Sequence, residues 1–300
     1  MIKIFDIDNT TAEQRVDKFL KRKFINLSQS FIEKNLRKKN ILLNNRVTKS
    51  NKVIKIGDKI TIKNYTEKTY QKFEKKKTIL NINKSILSKF EKSILYEDDS
   101  FLIIDKWSGI AAQGGSNITI SIDTIIKNIS PNFNLVHRLD KETSGLMIIA
   151  KDLKYTRLFG QLFKSQKIKK TYLAICDGAP KLRESYVNLS IDSNKRESVI
   201  QTQTFYKVLS YNQKTSLIKF EPKTGKKHQL RIVAKNLGCP IVGDLKYNLN
   251  EYKQRENLKL NAFKLEFSIE KNEFNINSTL PKDFINFVNL KKLKYNFHTI

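Results

Sequence analysis

The chain is poor in the residues that staple, break or reshape a polypeptide: its 300 residues include two cysteines, five prolines, ten glycines and a single tryptophan. Cys176 and Cys239 stand far apart in sequence, outside any C-x-x-C pair and with no histidine at ligand spacing. That excludes a disulfide framework and a structural zinc site, and it implies a reducing, cytoplasmic setting. No run of about 18 apolar residues is present, as a membrane-spanning helix would need, and Met1-Ile-Lys-Ile-Phe-Asp-Ile-Asp lacks the basic start and apolar core of a signal peptide. The expectation is a soluble monomer with no membrane partner, no metal and no cofactor.

Acid is scarce too. Against 57 Lys and Arg there are 29 Asp and Glu, a net charge of +28 that calls for a polyanionic partner, since each cation laid on a phosphate releases condensed counterions. Lysine far outnumbers arginine, and asparagine and isoleucine are abundant, so a biased base composition supplies part of this charge without selection for binding. Charge alone also leaves open an anionic membrane surface.

The chain is long enough for two domains. Val16, Phe19, Leu20 and Phe24 recur at helical spacing, and a second helix is expected from Ser28 through Lys39, with Ser30 and Glu33 as its capping box. Short strands follow at 41–43 and 53–62, with Asn44-Asn45 and Gly57-Asp58 as turns. Residues 64–93 are lysine-rich and weakly periodic, and read as an extended linker. In the remainder, 94–300, strands are expected at 101–104, 146–150, 171–176, 202–209 and 216–220. Helices are expected over 122–129 and 155–166. Without regular βαβ alternation the expected class is α+β, a mixed and largely antiparallel sheet with flanking helices.

The densest chemical pattern is His137-Arg-Leu-Asp140-Lys-Glu142-Thr-Ser-Gly145, set immediately before the apolar strand 146–150. Taken by itself it can be a turn in which Asp140 caps local N–H groups, Arg138 pairs with Asp140 or Glu142, and Gly145 supplies a positive φ. Tyr172 can equally be a core residue on an alternating strand, Arg231 a surface residue of the strand or helix after 227, and His137 and His228 hydrogen-bonded structural histidines. A pair of carboxylates, Asp140 and Glu142, could also serve glycoside hydrolysis.

Three ordered motifs bear a family resemblance. VHRLDKETSGLMIIAK at 136–151, KTYLA at 170–174 and TGKKHQLRI at 224–232, followed by Gly238-Cys-Pro-Ile-Val-Gly-Asp244, resemble the RluA-type pseudouridine synthases. The resemblance implies Asp140 as the essential aspartate, Tyr172 as the ring stacked on the target uracil, and Arg231 as the arginine paired with the aspartate. It further implies that Arg138 takes over the space of a flipped-out base, and that Lys226, Lys227 and His228 contact RNA. Lys106-Trp107-Ser108-Gly109 departs from the family's common Lys-Pro-Ser-Gly, and Lys226-Lys227-His228-Gln229 from Arg-Thr-His-Gln. SGIAAQGG at 108–115 is most similar to the RluC-like branch, which implies ribosomal RNA of the large subunit (23S), naked or in an assembling particle, as partner.

Residues 1–63 resemble an S4-type α/β RNA-binding domain. That resemblance places Arg15, Ser28, Ser30, Arg37, Lys38 and Arg46 near RNA phosphates. A non-catalytic RNA-binding assembly protein is the alternative that such a domain leaves open.

Overall fold

The computed structural model describes residues 1–9, 11–24, 27–71, 82–115, 118–192, 199–249 and 256–297. The chain divides into two compact units, Met1–Thr78 and Ile79–Ile300.

In the first unit β1 (Lys3–Asp6) and β2 (Gln14–Arg15) precede two helices, α1 (Val16–Lys23) and α2 (Gln29–Arg37), and β3 (Ile41–Leu43), β4 (Val53–Ile54) and β5 (Lys59–Ile62) follow. The strands form an antiparallel sheet in the order β1-β5-β3, with β2 paired to β4. Helix α1 buries Val16, Phe19 and Leu20, the stripe its spacing predicts. The expected capping box does not form. Ser28 caps α2 by accepting from the Phe31 amide at 3.1 Å, two residues before Ser30. Glu33 instead accepts from Ser50 Oγ and Gln29 Nε2.

The expected linker is corrected at both ends. Tyr65 and Tyr70 stack at 5.4 Å within the core of the first unit. Lys84–Lys92 forms α3, capped by Asn83 and anchored by buried Phe90 in the second unit. The apolar residues of these ends are diluted among lysines, which hides them in the sequence. Residues 72–81 lie outside the described part.

The second unit continues with β6 (Ile94–Glu97), β7 (Phe101–Lys106), α4 (Ile122–Ile129), β8 (Asn134–Leu135), β9 (Ser144–Ala150), α5 (Leu153–Lys164), β10 (Lys169–Asp177), β11 (Glu184–Asp192), β12 (Val199–Tyr211), β13 (Thr215–Pro222), α6 (Gln229–Asn236), β14 (Leu260–Ile269), β15 (Asn272–Asn277) and α7 (Lys282–Leu290). One sheet runs β11-β12-β13-β10-β14-β9-β7-β6, with β15 on β14 and β8 on β9. Every pairing is antiparallel except β14 with β9. The expected α+β class with a mixed, largely antiparallel sheet is what forms.

Strands buried on both faces read as continuous apolar runs, and β9 is the clearest case. Its Met147 and Ile149 pack with Ile122, Ile125 and Ile126 of α4, whereas Leu146, Ile148 and Ala150 pack with Phe159 of α5. Farther along the sheet α6 covers the α4 face through Val233 and Ala234, and α7 covers the opposite face through Phe284, Phe287 and Val288. The two cysteines, remote in sequence, meet in this core as fully buried free thiols, hydrogen-bonded to one another. Among the described residues no helix is long and apolar enough to cross a membrane.

Candidate active site

Three strands bring the motifs together. Ala262 of β14 pairs on one side with Gly145 of β9, at the exit of the 137–145 loop, and on the other with Tyr172 of β10. Gly145 has φ +110°, and a Cβ there would collide with the Ala262 backbone, so only glycine lets the two chains close at this junction. The β10 register shifts between Thr171 and Tyr172, a bulge of the kind that re-aims a side chain next to a site.

Asp140 stands in the loop with its side chain 29% exposed. Arg231 and His228 face it, each beyond hydrogen-bond reach: Arg231 Nη1 at 3.9 Å from Oδ2 and His228 Nε2 at 3.9 Å from Oδ1. The second motif contributes Tyr172, a partly buried ring that packs against two core clusters. Burial, reinforced by the negative charge of Asp140, pushes its phenol well above the usual tyrosine range, so it stays a protonated O–H at neutral pH.

Arg231 opens α6, which settles the strand-or-helix alternative. Its guanidinium faces Asp140 but is held elsewhere: Nε and Nη2 each donate at 2.7 Å to the two oxygens of Asp244. Sequence reasoning assigned no role to Asp244. Its signal was an acid in a Gly-Asp turn 13 residues after an arginine of the same motif series. The Asp244 side chain is fully buried, and its Oδ1 also accepts from the amides of Lys246 and Tyr247. Burial alone would raise this carboxyl; the Arg231 fork and the two amides outweigh it and hold it below the usual range. Tyr247 closes the ring of contacts, its Oη 3.0 Å from His228 Nδ1. His228 occupies the left-handed region at φ 56°, unusual for a non-glycine residue. Desolvation lowers its pKa against the opposing pull of Asp140.

Lys106, at the end of β7, is wholly buried below the loop and donates to the carbonyls of Trp107, Ile110 and Lys141 at 3.0 to 3.1 Å. Burial lowers its pKa to about 7 against the attraction of Glu142 and Asp140. Ser108 Oγ donates to the Glu142 carbonyl at 2.7 Å, and the Gly109 amide to that of Lys141 at 3.0 Å. The loop of Asp140 is thus stitched to residues 106–110, the stretch that departs from the family's common Lys-Pro-Ser-Gly.

His137 is structural. Its Nε2 accepts from the Ile148 amide at 2.9 Å and its ring lies 4.7 Å from Phe163. Burial, with nearby Lys170, lowers its pKa to about 3. The unfolded chain therefore binds a proton below about pH 6.5 that the folded chain refuses down to about 3. Stability linked to His137 is complete above about 6.5 and is lost as pH falls toward about 3, by at most ~1.4 kcal/mol per pH unit. In His137→Gln, whose side-chain oxygen can still accept from Ile148, urea denaturation from pH 7 to 4 is expected to show a flatter curve than wild type. Parallel curves would contradict this.

The other expected contacts are dispersed. Arg138 is exposed and reaches Gln113 Oε1 at 3.5 Å; Lys226 and Lys227 are exposed beside the α6 start. In the first unit Arg15 is committed to Asp17 (Nε–Oδ1 3.0 Å), and Ser28 to its cap, whereas Ser30, Arg37, Lys38 and Arg46 are exposed. Among the described residues no group of three or more His, Cys, Asp or Glu side chains could hold a metal ion.

A sheet of this order that brings an aspartate loop, a strand tyrosine and a helix arginine to one point defines a class, and residues 100–236 match the RNA pseudouridylate synthase family model. The chain belongs to the pseudouridine synthase family. It is 38% identical over 298 residues to ribosomal large subunit pseudouridine synthase C of Rickettsia felis, covering 93% of this chain and 96% of that one. Identity to the protein of the same name from Buchnera aphidicola is 33%, with 96% and 90% covered. Among solved structures, human RNA pseudouridylate synthase domain containing 4 superposes with a TM-score of 0.62 at 25% identity, over 70% of this chain and 97% of that one.

Proposed function

We propose that this pseudouridine synthase isomerises uridines of large-subunit ribosomal RNA in the cytoplasm, with the RluC-like choice of sites, and that Asp140 is its essential carboxylate. The observation that carries the reading is the convergence of Asp140, Tyr172 and Arg231 at the β9-β14-β10 junction, in a chain whose relatives over nearly their whole length are named for large-subunit RNA.

The reaction breaks the N1–C1′ bond of uridine, turns the uracil, joins C5 to C1′, and moves the C5 proton so that N1 gains one; it needs no redox partner. Asp140 is an accessible anion suited to act on the sugar or base. Arg231, held by Asp244, faces that carboxylate from 3.9 Å without covering it. Tyr172 offers a flat apolar face to the base and a phenolic O–H for proton handling. Exposed Arg138 is free to enter the stack that a flipped uridine vacates. The glycoside hydrolase alternative loses support, since Glu142 is exposed and turned to Lys141.

The test is to incubate the protein with transcribed large-subunit ribosomal RNA and map pseudouridine by chemical modification and primer extension. Discrete new sites support the reading; product on transfer RNA alone would replace the substrate, and no product on any RNA would overturn it.

We also infer that the first unit is the S4-type RNA-binding unit, presenting Arg37, Lys38 and Arg46 to phosphates. Replacing all three by glutamine is expected to weaken RNA binding and to reduce the slope of log affinity against log salt by about two to three, with the rate on saturating RNA unchanged. An unaltered slope in filter-binding assays would remove these residues from the interface.

A further inference from the structure

Beside the Asp140 loop lies a cavity of about 500 Å³, within the ~300–1,000 Å³ range of small-ligand sites, between α3 and residues 107–111 and 118–120. Its walls combine the ring of Trp107 with Ile86, Ile110 and Ile118, and two lysines, Lys89 and Lys141, border it. Trp107 is half-buried, the single tryptophan of the chain, and stands where the family resemblance has proline. We infer that this cavity is a subsite for a second unstacked nucleotide of the RNA, next to the target uridine, with its base on Trp107 and its phosphate between Lys89 and Lys141.

Three features support this occupant. A flat aromatic wall with apolar flanks and cationic edges matches a nucleotide, which has an apolar face and an anionic end, and stacking on such a ring tolerates any base. Lys89 Nζ lies 4.9 Å from the Trp107 ring centroid, and this exposed, flexible side chain can leave the ring for a phosphate when a base takes its place. The cavity is also joined to the site, because the carbonyls of Trp107 and Lys141 accept from the same Lys106 ammonium, and Lys141 is the residue after Asp140. An enzyme that flips one uridine out of its stack gains by holding the strand beside it.

The inference rests on the proposed pseudouridine synthase reading, and one set of measurements separates the two. With the full-length protein, oligouridylate of about eight nucleotides is expected to quench tryptophan emission saturably, a signal that reports Trp107 alone. On transcribed large-subunit ribosomal RNA, Trp107→Ala is expected to raise KM roughly tenfold with kcat little changed, Trp107→Phe to restore most of the loss, and Lys89→Ala to raise KM by about threefold. Lys89 is an exposed residue of α3 at the cavity's edge, so its variant remains informative if Trp107→Ala fails to fold. If the wild type converts RNA and binds labelled oligouridylate by anisotropy while its emission stays constant and the Lys89→Ala KM is unchanged, the subsite is wrong and the enzyme reading stands. If the wild type converts no RNA, both fall.

Discussion

Asp140→Asn is expected to reduce pseudouridine formation by roughly 10⁴-fold or more while the protein folds and binds RNA as the wild type does. The replacement keeps the size of the side chain and removes its charge. Its partly exposed side chain touches Arg231 and His228 only at 3.9 Å. Stability should therefore stay within about 0.5 kcal/mol of wild type. Single-turnover conversion of ribosomal RNA, read beside filter binding and a thermal melt, checks all three quantities. Glu142→Gln is the paired control, expected to retain activity because Glu142 points to solvent; a loss there equal to that of Asp140→Asn would restore the two-carboxylate scheme. Wild-type turnover by Asp140→Asn would remove this residue from the proposed role.

The ease with which Asp140 could be singled out reflects how the fold is written along the chain. Strands β7 and β9 and the Leu173–Cys176 part of β10 are buried on both faces and show as apolar runs, and the loop ahead of β9 stands out because it is charged where the next residues are not. The polar edge strands were missed, and so was β14 inside the sheet, whose apolar residues alternate with polar ones. Glu184–Asp192 and Asn272–Asn277 alternate a few apolar residues with polar ones and lie at the rim of the sheet, where patterning is weakest. The Cys176–Cys239 contact has no local signature, since it is made by distant segments meeting across the fold, and the pairing of Arg231 with Asp244 left only the Gly-Asp turn as a trace. Lys106 illustrates the same limit: a lysine at the end of an apolar strand reads as the point where the chain returns to solvent, yet three carbonyls gather around its buried ammonium.

Because Asp244 holds the arginine that faces Asp140, Asp244→Ala is expected to be the most damaging single change outside the residues proposed to act on uridine. The buried carboxylate accepts from Arg231 Nε and Nη2 and from the Lys246 and Tyr247 amides. Its removal strands a guanidinium whose side chain is 11% exposed, and breaking a buried pair from one side costs about 3–5 kcal/mol. The nearest remaining carboxylate is Asp140, 3.9 Å from Nη1, so the freed fork turns onto it and covers the anion that the reaction needs. Activity should then fall further than stability explains: at a temperature where the variant is folded, kcat drops about 100-fold, as a small misplacement at a reacting group can cause, with KM close to wild type. Asp244→Asn keeps an oxygen toward the fork and should fall between the two. A variant that is folded by circular dichroism and retains wild-type kcat would show that the Arg231–Asp244 pair serves stability alone, and Arg231 would then need no fixed orientation toward Asp140.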